Sequence, residues 1–412
     1  MRSADAQHAR RRRRPTARTV VRVTAITLVA VLALGAGAAY AVYRDLNANI
    51  TNAGDLSGLL GDRPEPTASS SASAPADGRS GSPVNVLVLG SDDRSGANAA
   101  IGGANDGMHS DTTIVAHISA DRSRIELVSI PRDLLVDRPT CTTKTGTTIP
   151  AKHDDQFNNA FAVGWDRSQD LATAAACTWR TVESLTGVQL DGFLLLDFVG
   201  FQAMVDAIGG VPICLTRNYD DPKTGLHVTA GQQVFDGQTA LQFSRARYNI
   251  GDGSDTQRIL RQHDLMAAMA RKVLSSSVLS NPGSLLGFAR AATKSLTASD
   301  GFASLQDLTG LGLSLRHVRA DHIVFVSMPT VPSRTHSGRV EGVPGDAALW
   351  SRISADQPIG EADGDGSDQP QSDGPAPAPT ATVPATTAAP SVPAYTPPGG
   401  LLTSGDASST CS

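Results

Sequence analysis

The sequence lacks the short motifs that mark several large classes of enzyme. It has no GxxxxGK[ST] stretch, so it is not a P-loop nucleotide enzyme, and it has neither HExxH nor GxSxG. It also has no CxxC pair, which argues against zinc binding by its cysteines. No internal repeat is visible, and a net charge of −5 argues against a general nucleic-acid-binding protein.

Long uncharged stretches are rare in this chain, and one near the N-terminus is long enough to cross a bilayer. Residues 23–43 carry no charge over 21 residues and follow a basic run at Arg10–Arg14. The small residues at 35–39 resemble a signal-peptide cleavage site. Because the apolar run is longer than a signal-peptide core, we predict an uncleaved transmembrane anchor. The positive-inside rule then makes residues 1–22 a cytoplasmic basic tail and places everything after Arg44 outside the cell.

Composition divides the remaining chain into one folded region and two polar flanks. Residues 44–82 are a polar spacer followed by a Ser-, Ala-, Pro- and Gly-rich linker. Residues 353–412 are rich in Pro, Ala, Thr and Gly and have few large apolar side chains, which predicts a disordered tail. Between them, residues 83–352 alternate strand and helix patterns, which predicts a single α/β domain, an α/β/α sandwich with a mixed central sheet.

The elements of this folded region follow from apolar runs, periodicity and breaker residues. The predicted strands are 84–90, 112–118, 124–130, 193–197 and 322–327, and the predicted helices are 168–186, 198–208, 236–242, 255–278, 283–296 and 302–315.

Four cysteines in an exported chain predict two disulfides. Cys141 and Cys177 flank one loop-plus-helix region, so we expect them to be partners. That pairing leaves Cys214 for Cys411, although a long polar tail precedes Cys411.

Two arginines stand close together at residues 244–247, in the sequence Ser-Arg-Ala-Arg. Arg245 and Arg247 are two residues apart, so an extended segment would point both guanidiniums to one side. We expect them where a strand end meets a helix N-terminus, which favours anions. Guanidiniums bind phosphate bidentately, so the pattern predicts a phosphate or pyrophosphate site, with a surface salt-bridge cluster as the alternative.

The helix that follows presents a second set of polar side chains. Ser254 and Gln257 form a capping-box pattern at its start. Asp255, Arg258 and Gln262 then lie at i, i+3 and i+7, on one face of the helix. This face strengthens the prediction of an anion site.

Carboxylates and a further arginine lie at the ends of the first three predicted strands. Asp92 follows the first strand and Asp111 opens the second. Two carboxylates with waters and phosphate oxygens suit Mg²⁺, although each aspartate alone also suits a turn or a cap. Arg132 follows Pro131 at the end of the third strand and supplies another phosphate-facing guanidinium.

Together these segments resemble the LytR-CpsA-Psr family, in order from residue 84 to about 275. The segments are GSDDR at 90–94, SDTT at 110–113, SIPRD at 129–133, AIGGVPICL at 207–215, FSRARY at 243–248 and DTQRILRQ at 255–262. The resemblance implies an extracytoplasmic phosphotransferase with an α/β/α fold whose apolar pocket holds a prenyl chain. Such proteins move a polyprenyl-pyrophosphate-linked glycopolymer onto peptidoglycan, forming a phosphodiester and releasing polyprenyl phosphate.

The resemblance also implies roles for individual residues. Asp92 and Asp111 match the acidic pair associated with Mg²⁺, for which Mn²⁺ is an alternative. Arg132 matches the arginine that approaches the pyrophosphate bond, with Asp255 beside it as a second catalytic residue. The residues expected to bind the pyrophosphate are Arg94, Arg132, Arg245, Arg247, Arg258 and Gln262. His109 departs from the family pattern, in which many members have an arginine two residues before the SDT aspartate.

Three functions remain open at this stage. The first is transfer to peptidoglycan, the second is polyprenyl-phosphate binding without catalysis by a regulator of envelope assembly, and the third is hydrolysis of the lipid pyrophosphate. Asp133 or Asp255 could act as a general base. The apolar helices at 198–208 and 302–315 could line the prenyl pocket or serve as ordinary core.

Overall fold

The computed structural model describes residues 17–61, 63, 77–92, 98, 101, 107–250, 253–343, 345–359, 402–403 and 411. Most of the predicted basic tail, much of the predicted linker and disordered tail, and Arg94 lie outside these residues. The chain divides into two units with a boundary after Ala48, and each is described by itself.

The described part of the first unit is helical. Helix α1 spans Ala17–Asn49, and its segment Thr24–Asn49 has 26 residues with a mean hydropathy of 2.1. By length and composition this helix can cross a membrane. It continues past the predicted end at Tyr43, because no glycine or proline occurs between Tyr43 and Gly54.

A mixed sheet forms the centre of the second unit, as the sequence predicts, and within the described residues it has eight strands, of which β1, β14 and β18 were not predicted. In spatial order the strands are β1 Thr51–Asn52, β14 Leu296–Ala298, β9 Gly192–Leu196, β2 Val84–Ser91, β3 Ser110–Ile118, β4 Ile125–Ile130, β15 Ile323–Ser327 and β18 Leu402–Thr403. Strand β3 runs antiparallel to both of its neighbours, β2 and β4, whereas β9 runs parallel to β2 and β15 parallel to β4.

Shorter ladders and helices surround this sheet. The two-stranded ladders are β5 Leu135–Arg138 with β8 Lys152–Gln156, β6 Cys141–Thr142 with β7 Thr148–Ile149, β10 Val211–Leu215 with β13 Gly231–Phe235, β11 Tyr219–Asp221 with β12 Leu226–Val228, and β16 Thr330–Pro332 with β17 Val340–Gly342. The helices are α2 Ser57–Leu60, α3 Asn159–Ser168, α4 Leu171–Thr186, α5 Phe198–Ala207, α6 Gly237–Arg245, α7 Asp255–Leu274, α8 Ser276–Leu279, α9 Pro282–Lys294, α10 Leu305–Ser314 and α11 Asp346–Ser354, with a 3₁₀ turn at Ala320–His322.

Side chains of β2 point alternately to the two faces of the central sheet, and each face packs against a different hydrophobic cluster. Leu87 and Leu89 point into a core with Phe161 of α3 and Trp179 of α4. Val86, on the opposite face of the same strand, packs in a cluster with Phe302. Helices and loops therefore cover both faces of the sheet.

The predicted strands agree with the structure to within two residues at each end. The predicted helix 168–186 is wrong at its start, because α3 ends at Ser168 and Gln169 adopts a left-handed conformation with φ of 50°. Asp170 then caps α4 by accepting a hydrogen bond from the Thr173 backbone N–H. The short ladders were not predicted, because hairpins of two to five residues carry little periodicity.

Ordered structure continues past residue 352, where the sequence predicts the end of the domain. Ile353 and Ile359 are buried in the main core. Asp356 accepts a hydrogen bond from Ala120 and contacts His117 and Arg124. These contacts correct the predicted boundary to at least Ile359.

Two disulfides join distant parts of the second unit. Cys141 pairs with Cys177, the partners expected from the sequence, with Cα atoms 5.4 Å apart. Cys214 pairs with Cys411, with Cα atoms 5.2 Å apart.

Candidate functional site

A cavity of about 500 Å³ opens where β2 and β9 end and β3 begins. One side of it is apolar. The apolar side chains that line it are Val88, Leu89, Ile114, Leu196, Phe198, Phe201, Leu241, Leu265 and Met266. Residues of helix α5 therefore line the cavity, which was one of the two roles considered for that helix. Helix α10 contributes none of the lining residues in the described part of the chain.

The other side of the cavity is polar and strongly basic. It is lined by Asp111, Arg132, Arg245, Arg247, Arg258 and Gln262, all of which the sequence analysis selects. The structure thus brings together residues from β3, the end of β4, the end of α6 and the start of α7. Arg94 lies outside the described residues.

Arg245 and Arg247 reach this cavity differently from the prediction. Arg245 is the last residue of α6 rather than part of an extended segment, and its guanidinium lies 4.5 Å from the centre of the Phe198 ring. Arg247 is in the following loop, where its Nε donates to the Gly253 carbonyl at 3.2 Å. The expected strand end is wrong, because Asp236 caps a helix that continues to Arg245.

The polar face of α7 forms as predicted. The Ser254 hydroxyl accepts the Gln257 N–H at 3.2 Å, and the face carrying Asp255, Arg258 and Gln262 is buried. Gln262 Nε2 donates to the Ser244 carbonyl at 3.1 Å and to a threonine hydroxyl of β3 at 3.2 Å. The glutamine therefore fastens α7 to both α6 and the sheet.

Asp255 joins two of the arginines. Its Oδ1 lies 2.6 Å from Arg258 Nη2 and 3.3 Å from Arg132 Nε, and its Oδ2 accepts the Arg132 backbone N–H at 3.2 Å. A buried carboxylate that contacts two guanidiniums holds both of them in place. This geometry favours a positioning role for Asp255 rather than the role of a base.

Arg132 and Asp111 form the ion pair at the centre of the site. Arg132 Nη1 donates to Asp111 Oδ1 at 2.8 Å, and Arg258 Nη2 donates to the Asp111 carbonyl at 2.8 Å. Burial disfavours the charged form of Asp111, but the guanidiniums of Arg132 and Arg258 outweigh it and lower the pKa of the carboxyl. The Nε of Arg132 is buried and faces the carboxylate of Asp255 at 3.3 Å.

Asp92 lies just beyond β2, whose Ser91 pairs with Ser110 of β3, and unlike Asp111 it is not among the described residues that line the cavity. Its backbone N–H donates to the His109 carbonyl at 3.0 Å, and its Oδ1 accepts the His109 N–H at 2.6 Å. Two carboxylates with oxygens of a phosphate ligand fit Mg²⁺, which takes only one or two protein ligands at such sites. The donor set therefore fits the metal, with Arg132 as its competitor for Asp111 Oδ1.

Asp133 and Arg339 belong to this network, and Arg339 was missed by the sequence analysis. Asp133 Oδ1 accepts from Gln156 Nε2 at 2.7 Å and from Arg339 Nη1 at 3.1 Å. Its Oδ2 lies 3.8 Å from Arg132 Nε and 3.9 Å from Arg247 Nη2. Burial and the charge of the neighbouring aspartate of α7 raise the pKa of Asp133. No local pattern in the sequence marks Arg339.

The hairpin of β11 and β12 supplies a second group that was missed. Asp221 is fully buried and accepts the backbone N–H groups of Arg247 at 2.6 Å and Tyr248 at 2.8 Å. Lys223 lines the cavity, and its Nζ lies 3.6 Å from the centre of the Tyr248 ring. The turn sequence from Asp221 to Gly225 is the signal that could have identified this hairpin.

The Cys141–Cys177 disulfide does not line the cavity. The two cysteines pack in a small cluster with Ile149 and Val163. Among the described residues that line the cavity, none belongs to this cluster.

The sequence of this chain is similar to those of known cell wall proteins. The chain is 29% identical over 262 residues to the cell wall biosynthesis protein LcpA of Corynebacterium glutamicum, covering 60% of this chain and 50% of that protein. It is 31% identical over 205 residues to the polyisoprenyl-teichoic acid–peptidoglycan teichoic acid transferase TagU of Bacillus mycoides, covering 50% of this chain and 57% of that protein. The chain thus spans about half the length of the curated relatives that it matches.

The fold is also found in a solved structure. The crystal structure of protein gbs0355 from Streptococcus agalactiae superposes with a TM-score of 0.50 at 19% identity, covering 67% of this chain and 88% of that one. The sequence profile of the LytR_cpsA_psr family matches residues 48–345. With that match over most of its length, the chain belongs to the LytR_cpsA_psr family.

Proposed function

We propose that this protein transfers a glycopolymer from a polyprenyl pyrophosphate to peptidoglycan. The observation that carries the proposal is one cavity that joins an apolar wall to a cluster of four arginines, Arg132, Arg245, Arg247 and Arg258. An amphiphile with an anionic headgroup fits such a cavity, because its chain is buried against apolar side chains while guanidiniums bind its phosphates.

The names of the relatives support the choice of donor and acceptor. TagU of Bacillus mycoides is named as a transferase of teichoic acid between a polyisoprenyl-teichoic acid and peptidoglycan. LcpA of Corynebacterium glutamicum is named as a cell wall biosynthesis protein. For this chain we propose a polyprenyl-pyrophosphate glycopolymer as donor and peptidoglycan as acceptor.

In the proposed reaction a hydroxyl of a peptidoglycan sugar attacks the sugar-side phosphorus of the pyrophosphate. The new P–O bond forms the phosphodiester, the bond to the bridging oxygen breaks, and polyprenyl phosphate leaves. Phosphoryl transfer depends mainly on positioning and charge neutralisation. Arg132 and Arg258, which Asp255 holds in place, and Arg247 would supply that positive charge.

We propose Mg²⁺, or Mn²⁺ in its place, as the cofactor of this site. Asp111 and Asp92 would hold it, and the low pKa of Asp111 keeps that carboxylate charged. When bound, the ion would neutralise phosphate charge and favour departure of the leaving group.

The proposed location is the outer face of the cell membrane. Helix α1 would anchor the chain with the N-terminus in the cytoplasm, in accord with the basic residues that precede it. The two disulfides support an extracytoplasmic domain, because such bonds persist in oxidising compartments.

The test is to incubate the protein with a lipid-pyrophosphate oligosaccharide, peptidoglycan oligomers and Mg²⁺, and to analyse the products by mass spectrometry. A covalent sugar phosphate–peptidoglycan product supports transfer. Free sugar phosphate would instead identify a hydrolase, and binding of the lipid without either product would identify a regulator. A parallel reaction with excess chelator tests the metal separately.

A further inference from the structure

A helical corner at the end of α7 exposes three leucines. Leu274, Leu279 and Leu285 are 39%, 53% and 43% exposed, although they belong to α7, α8 and α9, which pack in succession. Val278, next to Leu279, is buried in a hydrophobic cluster, so α8 is fixed in place while its neighbouring leucine faces outward. Several large apolar side chains exposed in one short segment indicate an interaction surface.

The sequence of the same corner carries only positive charge, although Asp264, earlier in α7, interacts electrostatically with Arg271. From Leu265 to Ser299 the sequence contains no Asp or Glu, although the whole chain has a net charge of −5. Four basic residues lie in this interval, namely Arg271, Lys272, Arg290 and Lys294. We call residues 271–294 the basic corner. Leucines flanked by basic residues are typical of segments that lie in the headgroup region of anionic bilayers.

The basic corner is continuous with the apolar wall of the cavity. Val278 and Phe288 from the corner pack in the same cluster as Leu265, and Leu265 lines the cavity. Phe201 of α5 packs against this cluster and also lines the cavity. One hydrophobic cluster therefore extends from the wall of the cavity to the basic corner.

We infer that the basic corner is the surface through which this domain contacts an anionic lipid bilayer. Its leucines would enter the interface between headgroups and acyl chains, and its lysines and arginines would bind lipid phosphates. Helix α1 of the same chain, which is able to cross a membrane, keeps a bilayer within reach.

One consequence rests on the proposed function. A cavity of about 500 Å³ suits a ligand of drug-like size. A polyprenyl chain that spans much of a bilayer is longer, so its remainder would stay in the lipid on the side of the basic corner. The surface itself depends on exposure and charge and not on the reaction.

The test places a fluorescent reporter in the corner of the full-length chain. Leu279→Trp and Leu285→Trp proteins are reconstituted in vesicles of phosphatidylglycerol and phosphatidylcholine whose acyl chains are brominated. Because interfacial segments insert their apolar face about 5–10 Å, we expect fluorescence of the added tryptophan to fall about twofold or more. The unsubstituted chain, with its three native tryptophans, supplies the background.

Leu313→Trp is the matched control, because Leu313 is 55% exposed on α10 and lies outside the basic corner. Quenching at 279 and 285 but not at 313 supports the inference. Equal quenching at all three positions, or at none, overturns it. A transfer assay on the same vesicles is scored separately, so loss of the proposed activity and loss of membrane contact are distinguishable.

The charge of the corner is tested in the Leu279→Trp background. Adding Lys272→Gln and Lys294→Gln should reduce quenching by about half or more in anionic vesicles and leave it unchanged in zwitterionic ones. The control pair is Lys144→Gln with Arg316→Gln, which removes two positive charges elsewhere. If both pairs act equally, the electrostatic part of the inference is wrong.

Discussion

The arginines that line the cavity are held by neighbouring groups of the protein. Arg132 and Arg258 share the carboxylate of Asp255, while Arg245 lies over the Phe198 ring. Such preorganised charges lose little freedom when an anion binds, which is how a fixed site stabilises a developing negative charge.

Substitution of Arg247 and of Asp111 should separate anion binding from turnover. Arg247→Ala removes a charge-assisted contact and should weaken binding of the lipid pyrophosphate by about 1.5–3 kcal/mol. Arg247→Lys should recover only part of this loss, because an ammonium cannot reproduce the bidentate fork. Asp111→Asn should instead impair turnover and the Mg²⁺ response while the lipid still binds. Calorimetric titration together with product analysis measures both, and parental turnover in all variants would show that the site lies elsewhere.

The pH dependence of stability should have opposite signs for Asp111 and Asp133. The pKa of Asp111 is lowered in the folded state, so its ionisation stabilises the fold above the ordinary pKa of about 3.9. That contribution is lost as the pH falls through the folded pKa. The pKa of Asp133 is raised, so its ionisation costs stability as the pH rises from about 3.9 through the folded pKa.

Thermal unfolding of the parent, Asp111→Asn and Asp133→Asn proteins between pH 3 and 8 tests these signs. As the pH rises, the parent should gain stability relative to Asp111→Asn and lose stability relative to Asp133→Asn. Parallel curves for both variants would contradict the assigned pKa directions.

Among the secondary-structure elements, the hairpin of β11 and β12 determines the shape of the arginine loop. Its buried Asp221 accepts backbone N–H groups from both the hairpin turn and the loop that carries Arg247. The position of Arg247 therefore depends on a hairpin that precedes α6 in the sequence and packs against it.

Asp221→Asn should destabilise the protein by about 1–3 kcal/mol, because an amide replaces a charged acceptor of buried N–H groups. The loosened loop should raise KM for the donor more than it lowers kcat. Asp220→Asn is the matched control, because the side chain of Asp220 is 69% exposed and pairs with His227 on the surface. Steady-state kinetics and thermal melts on both variants provide the measurement, and identical behaviour would contradict the anchoring role.

At the scale of the whole molecule, the segment after α11 packs against strands β3 and β4. Buried His117 bonds to Asp356 at 3.0 Å, and buried Glu126 accepts the Ile359 N–H at 2.6 Å. The fold therefore depends on residues that composition assigns to a disordered tail.

Two fragments should differ sharply in stability, one covering residues 49–352 and the other 49–360. The shorter fragment removes the hydrogen bond of His117 to Asp356 and that of Glu126 to the Ile359 N–H. Each loss should cost about 1–3 kcal/mol, so the Tm of this fragment should be lower by several degrees. Both fragments carry Cys214→Ser, because both lack Cys411. Equal melting temperatures would indicate that the folded domain ends at residue 352.

Local patterns determined much of this protein. Apolar runs gave the central strands to within two residues, and spacing at i, i+3 and i+7 identified the buried face of α7. The apolar N-terminal stretch likewise identified helix α1. These features depend on neighbours within one or two turns, so a single sequence contains them.

Only the tertiary structure decided how distant residues meet. Arg339 contacts Asp133 across 206 positions, and Arg258 reaches the Asp111 carbonyl across 147. The sequence predicts Arg245 as an anion ligand, but its position at the end of a helix depends on the packing of α6, which a spacing of two residues cannot show. Periodicity reports which face of an element is buried, whereas the partner of each buried charge is set by packing between elements.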